Sequence, residues 1–214
     1  MVNQKSQMET TRVKICGITS VADGLTAAEA GADMIGLMFY DGSPRRISLR
    51  LAGEISRALP PFVLRVGVFV NPDEALVTRA IAGCGLNLLQ FHGDEPSDFC
   101  TQFGLMSVKA LRVRNAESLQ QLEHFHTDAF LLDAYSQTGL GGTGDKFNWN
   151  LALEAQRFGK PIFLAGGLTP ENVAAAVKKV NPFAVDVSSG VESVPGKKDA
   201  AKLRAFIAAA KSAA

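Results

Sequence analysis

Cysteine is scarce in this chain. Its three copies, Cys16, Cys84 and Cys100, are odd in number, share no C-x-x-C spacing, and follow no leader of charged then apolar residues. That excludes a disulfide scaffold and a paired-cysteine metal or redox motif, and implies a reducing, cytoplasmic setting. Long apolar runs are also missing, since none approaches the roughly 18 residues that a membrane span needs. No membrane partner is expected. Excess charge of one sign is absent too: 22 Lys and Arg stand against 21 Asp and Glu, a net charge of +1 without a basic stripe. Nothing here attracts a polyanion, so no nucleic-acid partner is expected.

What is present is a globular pattern, 47% hydrophobic and 20% charged without blocks of either kind. Residues 1–11 are polar and aperiodic and read as a loose N-terminal extension; residues 12–214 read as one domain without a linker. Short apolar, β-prone runs occur at 13–16, 34–39, 64–69, 88–91, 107–110, 129–132, 162–165 and 184–187. Each is nearly continuous in apolar residues, as parallel strands covered on both faces are. Helical patterns follow at 20–30, 49–59, 72–82, 96–103, 116–125, 150–157, 170–179 and 197–210. Thr169-Pro170-Glu171 and Asn71-Pro72-Asp73-Glu74 look like helix starts, with a capping side chain, a proline at the first helical position and a carboxylate on the positive end of the dipole. Eight β-then-α units predict a compact (β/α)8 barrel. An open doubly wound sheet is the alternative that periodicity leaves standing.

In such a barrel the strand ends gather on one rim, and here they are unusually polar: Cys16, His92, Asp133, Gly166-Gly167 and Ser188-Ser189-Gly190. Cys16 precedes a glycine turn and a helical pattern. It is either a small apolar residue closing a buried strand or a thiol drawn toward thiolate by the helix dipole, titrating below a free cysteine's ~8.5. The glycine pair and the Ser-Ser-Gly turn fall in the two loops that hold phosphate in many barrels, where exposed backbone N–H groups meet an anion. Asp133 has no Lys or Arg beside it in sequence, so desolvation would favour its protonated form and suit a general acid. His92 is open to two readings, ligand contact or a structural hydrogen bond. Ser43-Pro44-Arg45-Arg46 brings two guanidinium groups toward the rim, where a carboxylate would match an arginine fork. Gly139, Gly141 and Gly144 satisfy G-x-G-x-x-G in form, but the stretch does not tightly join a strand to a helix, and it reads instead as a loop that closes over a ligand. His124 and His126 read as surface residues rather than metal ligands.

Taken in order, Lys14-Ile15-Cys16-Gly17-Ile18-Thr19, Ser43-Pro44-Arg45, Arg65-Val66-Gly67-Val68-Phe69, Gln90-Phe91-His92-Gly93, Leu131-Leu132-Asp133, Gly141-Gly142-Thr143-Gly144, Ala165-Gly166-Gly167-Leu168 and Asp186-Val187-Ser188-Ser189-Gly190-Val191-Glu192 resemble the phosphoribosylanthranilate isomerases of tryptophan biosynthesis. The resemblance runs from Val13 to the last helix. It implies a (β/α)8 barrel with no metal and no cofactor, present as monomer or homodimer, that isomerises a phosphorylated aminoaldose by an Amadori rearrangement. It also implies Cys16 as general base and Asp133 as general acid. Arg45, His92 and Asp186 would contact the substrate, with Arg45 on the anthranilate carboxylate. Gly166, Gly167, Ser188, Ser189 and Gly190 would hold its phosphate. Two positions depart from the family pattern: Asn148 in Phe147-Asn148-Trp149 and Arg46 after Arg45.

Overall fold

The computed structural model describes residues 10–134 and 148–213. Eight parallel strands close a barrel in chain order: β1 (Arg12–Cys16), β2 (Met34–Met38), β3 (Leu64–Phe69), β4 (Leu88–Phe91), β5 (Met106–Val113), β6 (Ala129–Ala134), β7 (Ile162–Leu164) and β8 (Ala184–Val187). Closure is seen at Lys14, which is in register with Met34 of β2 on one side and Asp186 of β8 on the other. The helices between and after them are α1 (Val21–Glu29), α2 (Leu49–Ala58), α3 (Glu74–Cys84), α4 (Ser97–Thr101), α5 (Ala116–Leu119), α6 (Trp149–Ala155), α7 (Val173–Val180) and α8 (Ala200–Lys211). The barrel is therefore the observed architecture, and the open sheet is excluded.

The strands are apolar throughout because each face has its own core. Ile15, Ile35, Leu89, Phe130 and Leu164 pack outward with helix residues such as Ala27, Ile55, Val77, Ala152 and Phe206. Residues one position away, including Met34, Val66, Val68, Val108, Ala110, Ala129, Leu131 and Phe163, fill the barrel interior. Side chains alternate along a strand, so each inner row continues two residues at a time to the carboxyl rim. After Val108 and Ala110 the next inward position is Arg112, and after Ala129 and Leu131 it is Asp133.

Helix starts differ from the sequence reading where a side chain had a better partner. The α7 helix begins after Asn172 rather than at Pro170, because the Asn172 side chain accepts from the Thr169 N–H and donates to the Gly167 carbonyl, holding a turn against the glycine loop. Asp73, not Asn71, caps α3 by accepting from the Leu76 N–H at 2.6 Å. Asn71 instead accepts from the Asp94 N–H. The last helix starts at Ala200, capped by Asp199, and the residues before it form a small hairpin of β9 (Glu192–Val194) and β10 (Lys197–Lys198). Asn148 caps α6 through the Asn150 N–H, so the departure at this position keeps a capping side chain. His124 and His126 are exposed, and no group of three potential metal ligands occurs among the described residues. Residues 1–9 of the expected 1–11 extension and the glycine-rich stretch with Gly139, Gly141 and Gly144 lie outside the described residues. Thr11, just before β1, is already buried and donates to the Pro182 carbonyl. No described helix is long and apolar enough to cross a membrane.

Candidate active site

A cavity of about 130 Å³ opens at the carboxyl ends of the strands, and its lining includes Cys16, Arg45, His92, Asp133, Gly166, Gly167, Asp186, Ser188, Ser189 and Gly190. Residues spread over more than 170 positions of sequence thus face one space, because every strand delivers its carboxyl end to the same rim. Arg46 is not part of that lining; it is half exposed and paired with Asp41. The same alternation that fills the barrel adds residues that the sequence reading passed over: Gln90 and Arg112 on the cavity wall, with Lys14 beneath Cys16.

Cys16 ends β1, almost fully buried. Burial pushes its thiol above the ordinary value, Lys14 opposes that most strongly, and Asp186 adds to the rise. The expected depression by the α1 dipole is therefore not what governs it. The first turn of α1 is already served by the Ser20 side chain, which accepts from the Asp23 N–H, and by the Asp23 carboxylate itself. Lys14 donates to Asp186 Oδ1 at 2.9 Å, and with its side chain at 0% exposure it stays charged despite burial because Asp186 and Cys16 favour the ammonium.

Gly166 and Gly167 both adopt positive φ, 83° and 65°, which turns successive backbone N–H groups toward one side, an arrangement suited to an anion. The facing loop comes just as close: a Cβ on Gly190 would collide with the Leu168 carbonyl oxygen, so only glycine lets the two loops meet. Ser188 precedes a single 3-10 turn, Ser189–Val191, and its Oγ is buried with no hydrogen-bond partner among the described residues. Buried hydroxyls are normally satisfied, so this one is poised for a ligand acceptor. Gln90 Oε1 is orphaned in the same way.

Arg45 does not offer an open fork. Its Nε and Nη2 donate to the Glu192 carboxylate at 2.8 and 2.7 Å, leaving three of a guanidinium's five donors. Although burial works against it, Glu192 is held below the ordinary carboxylate range by Arg45 and Lys198. Lys198, also buried, donates to Glu192 Oε1 at 2.9 Å and to the Ser188 carbonyl at 3.1 Å, tying the arginine to the Ser-Ser-Gly loop. This clamp depends on the β9–β10 hairpin, which no periodicity announces. On the opposite side, His92 Nε2 lies 3.6 Å from Asp133 Oδ2. Burial, aided by Arg112, Lys14 and Lys109, pushes His92 down to about 3, so it is neutral and this contact is not an ion pair at neutral pH. Arg112, exposed at the rim, is in register with Asp133 on the neighbouring strand.

Comparison with known proteins agrees with this geometry. The family model for N-(5′-phosphoribosyl)anthranilate isomerase matches residues 13–209. The chain is 54% identical over 200 residues to the N-(5′-phosphoribosyl)anthranilate isomerase of Geobacter metallireducens, covering 94% of this chain and 98% of that one. Among solved structures it is similar to phosphoribosyl anthranilate isomerase from Thermotoga maritima, at TM-score 0.88 and 43% identity over 94% of this chain and 99% of the other. It is also similar, at TM-score 0.84 and 42% identity over the same shares, to a phosphoribosyl anthranilate isomerase in complex with reduced 1-(o-carboxyphenylamino)-1-deoxyribulose 5-phosphate.

Proposed function

The chain belongs to the N-(5′-phosphoribosyl)anthranilate isomerase family, the isomerases that serve tryptophan biosynthesis, and from that premise we propose that Cys16 and Asp133 are the base and acid that convert N-(5′-phosphoribosyl)anthranilate to 1-(2-carboxyphenylamino)-1-deoxyribulose 5-phosphate. The observation that carries this assignment is that the two side chains line one cavity, from β1 and β6, beside a double-glycine loop and an orphaned serine hydroxyl.

The chemistry divides between them. Asp133 protonates the ribose ring oxygen as the anilinic nitrogen's lone pair forms an iminium with C1′ and the C1′–O bond breaks. Cys16, as thiolate, then removes the C2′ proton; the C–H pair forms the C1′–C2′ double bond and the iminium nitrogen is neutralised. The enolamine tautomerises to the ketone, losing a proton from the C2′ hydroxyl and gaining one at C1′. Reactant and product are isomers, so no redox co-reactant is required, and the reading asks for no metal or cofactor.

Gly166, Gly167, Ser188, Ser189 and Gly190 hold the phosphate through backbone N–H groups and hydroxyls. Arg45, braced by Glu192, gives its remaining donors to the anthranilate carboxylate, and Arg112 adds a second cation. Neutral His92 and Asp186 complete the wall around the sugar. We place the enzyme in the cytoplasm as a monomer or homodimer, with residues 12–214 as the catalytic barrel. Loss of substrate fluorescence measures the reaction. Cys16→Ser and Asp133→Asn should each abolish turnover while circular dichroism and melting stay close to those of the unmodified protein. Turnover near the unmodified level in either variant overturns the assignment.

A further inference from the structure

Lys14 heads the large side chains of this protein that are fully buried among the described residues. A lysine in the middle of a barrel core is costly, and a leucine or methionine would fill the same volume without the desolvation penalty. Its position suggests why it is there. Lys14 and Cys16 are two residues apart on β1 and so face the same side. Gly36 of β2 is in register with Cys16, and a Cβ there would lie 2.8 Å from Cys16 Sγ and 3.2 Å from Lys14 Nζ. The missing side chain leaves the space in which thiol and ammonium meet.

The charges around Cys16 come from five elements: Lys14 on β1, Arg45 after β2, Asp186 on β8, Glu192 on β9 and Lys198 on β10. Asp186 is bonded to Lys14, whereas Glu192 alone serves both Arg45 and Lys198. Three cations thus stand against two carboxylates, a balance that opposes the effect of burial on the sulfur.

We propose that Lys14, fixed by Asp186, is a positioning residue for Cys16: its ammonium opposes the cost of burying a thiolate and so raises the fraction of sulfur ionised to take the C2′ proton. This rests on Cys16 as the base, but its first test does not. Iodoacetamide alkylation of Cys16 is followed against pH by peptide mass spectrometry, which separates it from the buried Cys84 and Cys100. Lys14→Met should slow Cys16 alkylation at pH 8 at least tenfold and move the inflection up by at least one pH unit. Asp186→Asn, which removes the anion beside the thiol, should move it down. The kcat/KM profile should shift in the same two directions. A purely structural ion pair would make both substitutions act alike, and equal or absent shifts overturn the proposal. If Lys14→Met does not fold, Lys14→Met/Asp186→Asn, which buries no lone carboxylate, replaces it and should titrate above Asp186→Asn. Turnover by Cys16→Ser with the alkylation shifts intact overturns the catalytic half alone, so failure of the base assignment and failure of the Lys14 effect are read separately.

Discussion

Arg112 and Asp133 face each other in register on β5 and β6, where both strands leave the barrel. The pairing brings an exposed arginine and the proposed acid to the wall of one cavity, the one proposed to take the substrate. Arg112→Met should lower kcat/KM about tenfold, ~1.4 kcal/mol, mostly through KM, because the charge is offered to a carboxylate that is present before and after the chemistry. Steady-state kinetics decide this. An unchanged KM would remove Arg112 from substrate binding.

Ser188 separates binding from folding. Its Oγ has no partner among the described residues, so Ser188→Ala should leave the melting temperature unchanged or slightly raised. A hydrogen bond to a charged group contributes about 1.5–3 kcal/mol, and KM should therefore rise roughly tenfold or more. A lowered melting temperature with unaltered KM would show that the hydroxyl serves the fold.

The raised Cys16 thiol sets the pH profile. With the thiol above its ordinary value, the thiolate fraction still grows with pH on the alkaline side of neutrality and falls about tenfold for each unit below the inflection. The value of kcat/KM should thus climb from pH 6 past pH 9. A plateau already reached at pH 7 would contradict burial as the dominant influence on this group.

His92 should make the fold acid-sensitive. The unfolded chain takes a proton on it near 6.5, whereas burial beside Arg112, Lys14 and Lys109 keeps the folded value at about 3. Stability from the neutral ring is complete above ~6.5 and is lost as pH falls toward 3, by up to ~1.4 kcal/mol per unit. Melting of His92→Gln should decline less steeply than that of the unmodified protein between pH 6.5 and 4.5. Parallel declines would mean that His92 titrates normally in the fold.

Much of the fold was legible because parallel strands under helices are apolar on both faces, which marks them in sequence without regard to neighbours. The strand ranges 64–69, 88–91 and 184–187 match β3, β4 and β8. Helix starts were less legible. The Asn172 side chain is bonded to the Thr169 N–H and the Gly167 carbonyl in the glycine turn before α7, and Asp199 caps α8 only because the hairpin before it takes residues that continue the helical pattern. Two of the missed residues share a signal that was available: Lys14 with Cys16, and Gln90 with His92, are pairs at spacing two on inward faces, whereas Arg112 follows only the apolar Val108 and Ala110.

The sequence by itself determined the eight β-then-α units, the strand ends that carry Cys16 and Asp133, and the resemblance to the family, since strand periodicity and turn residues are local and ordered motifs survive as a string; closure of the sheet into a barrel was left to the structure. Only the tertiary structure decided that Arg45 is braced by Glu192, that Lys198 leaves the helix to join that clamp, and that the Cys16 thiol is raised by burial rather than lowered by a dipole. Those properties depend on which charges meet out of water, and barrel closure brings together Lys14 and Asp186, which are 172 positions apart.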